Sequence, residues 1–220
     1  MEEILKLSEK VSDLLRNKIG YEELELYKLQ PGDIFKTDVG EFIVLEQKCN
    51  CTLIATNGLI YEPVDEVIAF DRRIATKKIM EECLNSGIFG KCNEIYEKLY
   101  KKSFNGIALE QKFFYEIEEF DDNGDKHYTK IKPRNCFLRP LSVREWEKYK
   151  HIFNKIKFEI LKPFWTCTRV DEFNMMCIDL DWNVVPYLNR QENSLLLTMY
   201  VKTDVLVRRK IIDGTLIMKV

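Results

Sequence analysis

The chain has 220 residues, 45% of them hydrophobic and 32% charged, with a net charge of −2. That is ample apolar material for a core, too much charge for a membrane protein, and too little basic excess for a surface that tracks phosphates. No apolar run approaches the roughly 18 to 20 residues that span a bilayer. The start, MEEILKLSEK, carries acids where an export signal carries basic residues. A cytoplasmic protein is therefore expected, with neither membrane nor nucleic acid as its partner.

Residues 2–19 make a separate statement. Ile4, Leu7, Val11 and Leu14 alternate at spacings of three and four between charged residues, and Gly20 follows as a stop. The pattern predicts an amphipathic N-terminal helix over 1–20, added to a single α+β domain over 21–220. Its narrow seam packs on that domain, or docks a partner helix or a second copy of the chain as a homodimer.

From Leu24 the pattern turns to strands. Pro31-Gly32 marks a turn, and "DIFKT" and "EFIVLE" flank Asp38-Val39-Gly40 as the arms of a hairpin. "TLIAT" is a further strand, closed by Asn57-Gly58. Two helices are predicted near residues 72–85 and 92–101. Ile79 and Cys83 share one face of the first, and Ile95, Tyr96 and Leu99 one face of the second. "FFYEIEEFDDNGDKHYTKIK" predicts a hairpin with a tight turn at Asn123-Gly124. The acids around that turn lack the spacing of a calcium loop, which needs glycine at its sixth position and glutamate at its twelfth.

"FLRPLSVREWEKYKHIF" predicts a short strand, a break at Pro140, and a helix opened by a capping box between Ser142 and Glu145. Trp146, Tyr149 and Phe153 form its apolar stripe. The remainder reads as β: "FEILKPFWTCT", "FNMMCIDL", "NVVPYL", "SLLLTMYVKTDVLV" and "TLIMKV", with Asp213-Gly214 as a two-residue hairpin signal between the last two.

Seven cysteines are present: Cys49, Cys51, Cys83, Cys92, Cys136, Cys167 and Cys177. An odd count fits reduced thiols better than a disulfide framework. Cys49 and Cys51 are the one close pair, and a single intervening residue is shorter than the usual zinc-ligand spacing. With His127 and His151 as the only histidines, neither a metal nor a cofactor is expected, and buried inert thiols are.

The order of these pieces resembles a family of bacterial and phage domains of unknown function. "LQPGDIFKTDVGEFIVLE" is similar to their entry hairpin, and "LRPLSVREWEKY" to their strand followed by a capped helix. "FWTCTR" is similar to a W-x-R-S-type element. "IDLDWNVVPYL" resembles a V-x-x-D-G-x-V hairpin, with Trp182 where glycine is usual. "YVKTDVLV" resembles the terminal strand, with Lys202 and Thr203 in place of arginine and proline. The resemblance spans about residues 28–208. It implies a C-type-lectin-like mixed fold rich in antiparallel hairpins, shared with formylglycine-generating enzymes and the variable proteins of diversity-generating retroelements.

On that fold Trp165 is expected to anchor a displayed polar loop at 166–172 that carries Arg169, near the turn formed by Asp181, Trp182 and Asn183. The alternative for Trp182 is ordinary packing onto Tyr187 or Leu188. The chain holds no G-x-S-x-G, no phosphate-binding loop and no G-x-G-x-x-G. A non-enzymatic protein that recognises a protein partner through surface loops is the expected function, and the phage resemblance extends this to an inhibitor of a host defence protein. Two alternatives follow from the same resemblance. One is an oxidoreductase using Cys167 and Cys177, with Arg169 as the electropositive neighbour that a reactive thiol needs. The other is a glycan-binding module, although Glu62-Pro63 lacks the amide that follows in calcium-dependent lectins and Asp181-Trp182-Asn183 has a different order from theirs.

Overall fold

Side-chain alternation along one strand sets the plan of the molecule. The computed structural model describes residues 21–59, 88–114, 116–130, 134–169, 174–188, 193–210 and 213–218. The seam of Ile4, Leu7, Val11 and Leu14, the helix expected near 72–85, and Glu62-Pro63 lie outside those residues. Within them, β1 (Tyr21–Glu25), β2 (Ile34–Thr37), β3 (Gly40–Gln47) and β4 (Cys51–Thr56) come first. Phe42 and Val44 of β3 enter one hydrophobic cluster, and Ile43 and Leu45 enter another. β4 repeats the division, with Ile54 in the first cluster and Leu53 and Ala55 in the second. A strand with apolar residues on both faces must be covered on both.

One cover is α1 (Ile88–Ile95), which runs through a π-helical turn, Tyr96–Tyr100, into α2 (Lys101–Phe104). Ile88, Phe89, Cys92, Ile95, Tyr96, Tyr100 and Phe104 belong to the first cluster. Leu99, expected on the inner face, is exposed, and Tyr100 takes its place. The π turn adds a residue to the helical turn, so the inward face arrives one position late.

The chain then forms β5 (Ala108–Leu109), β6 (Gln111–Phe113), β7 (Glu116–Phe120), β8 (Lys126–Lys130), β9 (Arg134–Cys136) and β10 (Arg139–Pro140). The second cover is α3 (Val143–Lys155), whose capping box is formed: Ser142 Oγ accepts from Glu145 N–H and the Glu145 carboxylate accepts from Ser142 N–H. Trp146, Tyr149, Ile152 and Phe153 bury in the second cluster. Its C-terminus closes with Lys157 at φ +55 and a bond from Phe158 N–H to the Phe153 carbonyl, 2.9 Å.

β11 (Phe164–Arg169), β12 (Asn174–Ile178), β13 (Val184–Leu188), β14 (Ser194–Leu195), β15 (Leu197–Lys202), β16 (Leu206–Lys210) and β17 (Leu216–Met218) complete the molecule. The larger sheet has the order β1-β16-β17-β2-β3-β4-β15, with β10 and β5 sharing the far side of β15; only β17 and β2 pair in parallel. The second sheet has the order β13-β12-β11-β7-β8, and β14 also pairs with β11. β6 and β9 form a separate pair. Because β14 belongs to one sheet and β15 to the other, Leu196 joins them directly. The protein is thus a mixed, sheet-rich α+β structure.

Three expected details change. The segment 158–168 is strand only from Phe164. The Asn123-Gly124 turn closes between Asp121 and Asp125, so it is longer than two residues, and Gly124 alone has positive φ there. The last hairpin closes with Lys210 N–H on the Thr215 carbonyl and Gly214 N–H on the Lys210 carbonyl, a wider closure than Asp213-Gly214 alone would make.

Candidate functional site

Among the described residues, the ribbon β11–β12–β13 and its turn carry every candidate residue: Trp165, Arg169, Asp181, Trp182 and Asn183. At one end Phe164 pairs with Ile178 and Ile178 with Val184; at the other Arg169 pairs with Met175 and Met175 with Tyr187. The first end closes in the turn 179–183. Asp179 N–H donates to the Asn183 carbonyl (3.0 Å) and Trp182 N–H to the Asp179 carbonyl (3.2 Å). Asp179 Oδ1 accepts from the N–H groups of Asp181 (2.9 Å) and Asn183 (2.8 Å). The turn between β7 and β8 is built identically. There Asp121 N–H bonds Asp125 O, Gly124 N–H bonds Asp121 O, and Asp121 Oδ1 accepts from Asn123 and Asp125.

Glycine occupies the left-handed position of the β7–β8 turn, at φ +82, and Trp182 occupies the same position here, at φ +68. A bulky L-residue there is strained by about 1–2 kcal/mol. Trp182 is half-buried against the second cluster, with its ring 5.4 Å from that of Trp146, which in turn packs on Phe153 and Phe164. Its aromatic partner is therefore on α3, not on Tyr187 of the adjoining strand. Asp181 and Asn183 are exposed. So are Leu180 (54%) in the turn and Leu161 (66%) just ahead of β11. The end of the ribbon thus combines a half-covered indole, two open leucines and two polar residues.

Trp165 and Arg169 lie elsewhere. Trp165 is wholly buried in the first cluster, and its Nε1 has no hydrogen-bond partner among the described residues. The polar loop expected at 166–172 is buried strand as far as Arg169, which is 5% exposed. Its end of the ribbon is opposite the Trp182 turn, at about 3.3 Å per strand residue. The structure does not bring Arg169 and Trp182 into one surface.

β11 is buried because it is kinked and gripped on both sides. Its register against β12 shifts between Trp165 and Arg169. Within the irregularity Thr166 Oγ1 donates to the Met176 carbonyl (2.7 Å), and Cys167 N–H turns to the Leu141 carbonyl (3.0 Å). Thr168 Oγ1 accepts from Val143 N–H at the start of α3 (2.9 Å). Side-chain hydroxyls replace ladder bonds that the bulge removes, as burial requires.

Beneath the kink lies Arg139, 3% exposed. Its guanidinium makes a bidentate pair with Glu145 (2.6 and 2.5 Å), and bonds Gln111 Oε1 (2.9 Å) and the Pro140 carbonyl (3.1 Å). Gln111 donates to the carbonyls of Phe137 and Thr198, and Thr198 donates to the Arg139 carbonyl. Burial works against the charge, and the Glu145 carboxylate overcomes it, raising the arginine pKa further. Sequence reading missed Arg139. Its signal was a lone charge inside the apolar run "FLRPL", just ahead of a capping glutamate.

Cys167 and Cys177 are both fully buried on neighbouring strands, in the first cluster. Burial raises both thiols well above the ordinary range. Arg139, not Arg169, is the cation that lowers Cys167, and the Asn193 amide opposes the rise at Cys177. Thiols held protonated in an apolar interior are poor nucleophiles. Glu116 is 2% exposed, and its Oε2 has no hydrogen-bond partner among the described residues. Among these residues no three His, Cys, Asp or Glu side chains gather as metal ligands, and no helix is long and apolar enough to cross a membrane.

No protein-family model, curated protein or solved structure matches the chain.

Proposed function

We propose that the protein is a non-enzymatic binding protein, of C-type-lectin-like organisation, that meets a protein partner through the Trp182 end of its β11–β12–β13 ribbon. The observation that carries this reading is Trp182 itself. A tryptophan stands at a left-handed turn position that the protein's own sister turn gives to glycine, in a turn that also exposes Leu180, while Leu161 is exposed just ahead of β11. Backbone strain and open apolar side chains concentrate where a surface is used. Large aromatics supply a disproportionate share of interface energy. Asp181 and Asn183 give the patch a polar rim, the usual surround of such a contact. Arg169 is left out of the contact by its burial at the far end. Capture of a host defence protein by a phage product is one binding role of this kind, and it rests on the family resemblance.

A photo-crosslinking amino acid placed at Leu180 in the full chain tests the proposal in lysate of the source cells. Phe120, 66% exposed beside the sister turn, is the control position. A discrete protein adduct is expected from position 180 and not from position 120. Trp182→Ala is then expected to weaken binding of that protein by about 2 kcal/mol. No adduct at 180, or the same adducts from both positions, refutes the assignment.

A further inference from the structure

The pair Cys49-Asn50-Cys51 is not buried. Cys49 is exposed and Cys51 half-exposed, whereas Cys92, Cys136, Cys167 and Cys177 are enclosed. The two accessible thiols sit at the tip of the β3–β4 hairpin. Lys48 N–H donates to the Cys51 carbonyl (2.8 Å), so Cys49 and Asn50 are the whole loop. Two residues apart, even a fully extended chain separates Cα atoms by no more than about 7 Å, and a turn shortens this into the roughly 4.4–6.8 Å that a disulfide spans.

From this geometry we infer that Cys49 and Cys51 form a thiol–disulfide site, oxidised to an intrachain bond by a small-molecule disulfide and reduced again by thiols. Cys49, the open thiol, attacks one sulfur of the small disulfide. The S–S bond breaks and one small thiol leaves, taking up the proton that Cys49 loses. Cys51 then attacks Cys49 Sγ, the mixed disulfide breaks, and the second small thiol leaves with the remaining proton. Two protein thiols and one disulfide become one protein disulfide and two small thiols.

The surroundings fit that order. Burial holds the Cys51 thiol up, with Lys48 acting against it, so Cys51 is the slower nucleophile and is suited to resolve rather than to initiate. Lys48 is fixed beside the tip by its bond to Tyr200 Oη (2.6 Å) and its pairing with Glu46 (3.5 Å). A bond closed across a single residue is strained and exposed, which makes it the readily reduced kind rather than a structural staple. None of this depends on the partner-binding surface, which lies on the other sheet.

The test treats the reduced full chain with oxidised glutathione, blocks free thiols, and maps the peptides by mass. The wild type is expected to lose two hydrogens in the peptide that holds Cys49 and Cys51, and to stay one chain. Cys51→Ser is expected to accumulate the glutathione adduct on Cys49 at least about ten-fold more than the wild type, because the resolving step is intramolecular. Cys49→Ser is expected to react more slowly than Cys51→Ser. The inference is overturned if the wild type keeps a stable glutathione adduct on Cys49 to the same extent as Cys51→Ser. It is equally overturned if Cys49 pairs with another cysteine or another chain, or if neither thiol reacts.

Discussion

Trp182 sets backbone strain against packing within one residue, and three substitutions separate the two. Removing the ring in Trp182→Ala keeps the left-handed backbone and gives up the contact with Trp146. A fully buried tryptophan costs about 3–5 kcal/mol when cut to alanine, so a half-buried one is expected to cost about 2 kcal/mol. Trp182→Gly loses the same contact but frees the backbone. Glycine is preferred over alanine at such an angle by about 1 kcal/mol, net of its greater freedom when unfolded. That variant should therefore lose only about 1 kcal/mol. The sister turn supplies the control: nothing lies within 4 Å of a Cβ added at Gly124, so Gly124→Ala reports strain with no clash. It is expected to cost about 1 kcal/mol, or roughly 2–4 °C in melting temperature for a domain of this size. Urea unfolding followed by circular dichroism measures all three without relying on tryptophan emission. Equal stabilities for Trp182→Ala and Trp182→Gly, or a neutral Gly124→Ala, would show that the turn is not strained and would remove the main support for the proposed contact.

Glu145→Ala leaves the Arg139 guanidinium buried without its carboxylate and is expected to destabilise by about 3–5 kcal/mol in chemical denaturation, while the pair Arg139→Met with Glu145→Leu recovers most of that loss. Burial pushes the Glu46 carboxyl up, but Lys148, Tyr149 and Lys48 outweigh it and hold the group below its ordinary value of 4.5. A carboxylate lowered by folding adds stability above its unfolded pKa and loses it as pH falls through its folded one. Glu46→Gln should therefore flatten the decline in stability below about pH 4.5 and leave a smaller dependence on acid than the wild type. Native alkylation with iodoacetamide should label Cys49 first and Cys51 next, with Cys92, Cys136, Cys167 and Cys177 labelled only on unfolding; fast labelling of Cys167 or Cys177 would contradict their burial.

The hairpins of the larger sheet could be read because their signals are local. β2 and β3 alternate or run apolar over several residues and are separated by Asp38-Val39, and the α3 cap is spelled out by Ser142 and Glu145. The short strands β5 and β9 could not be read, and β6, β10 and β14 only as parts of longer segments, because so short a segment has no period. β5 and β10 exist because β15 offers unpaired backbone along its side, and β14 because β11 does, whereas β6 and β9 have only each other; each pairing is a property of the assembled structure. Leu99 and Tyr100 exchanged places for a related reason. A π turn is one displaced hydrogen bond, and nothing in "EIYEKLY" announces it, yet it rotates every later residue of the helix.

The candidate site shows the same limit acting on function. Trp182 was legible as an anomaly in a turn pattern, since the neighbouring Asp and Asn residues fix the type of turn and hence the angle its next residue must adopt. Arg169 was misread because "TCTRVDE" has the composition of a loop; its threonines instead supply the bonds that a kinked, buried strand lacks. Polar residues with hydroxyls can serve either purpose, and only the register of β11 against β12 distinguishes them. Cys49 and Cys51 were misread in the opposite sense. A cysteine is usually buried, but Cys49 stands in the two-residue loop where β3 turns into β4 and Cys51 opens β4 directly beside it, and a two-residue hairpin loop exposes what it carries. At these two hairpin tips turn geometry, more than residue type, decides which side chains meet solvent: an indole and a leucine at one, a pair of thiols at the other.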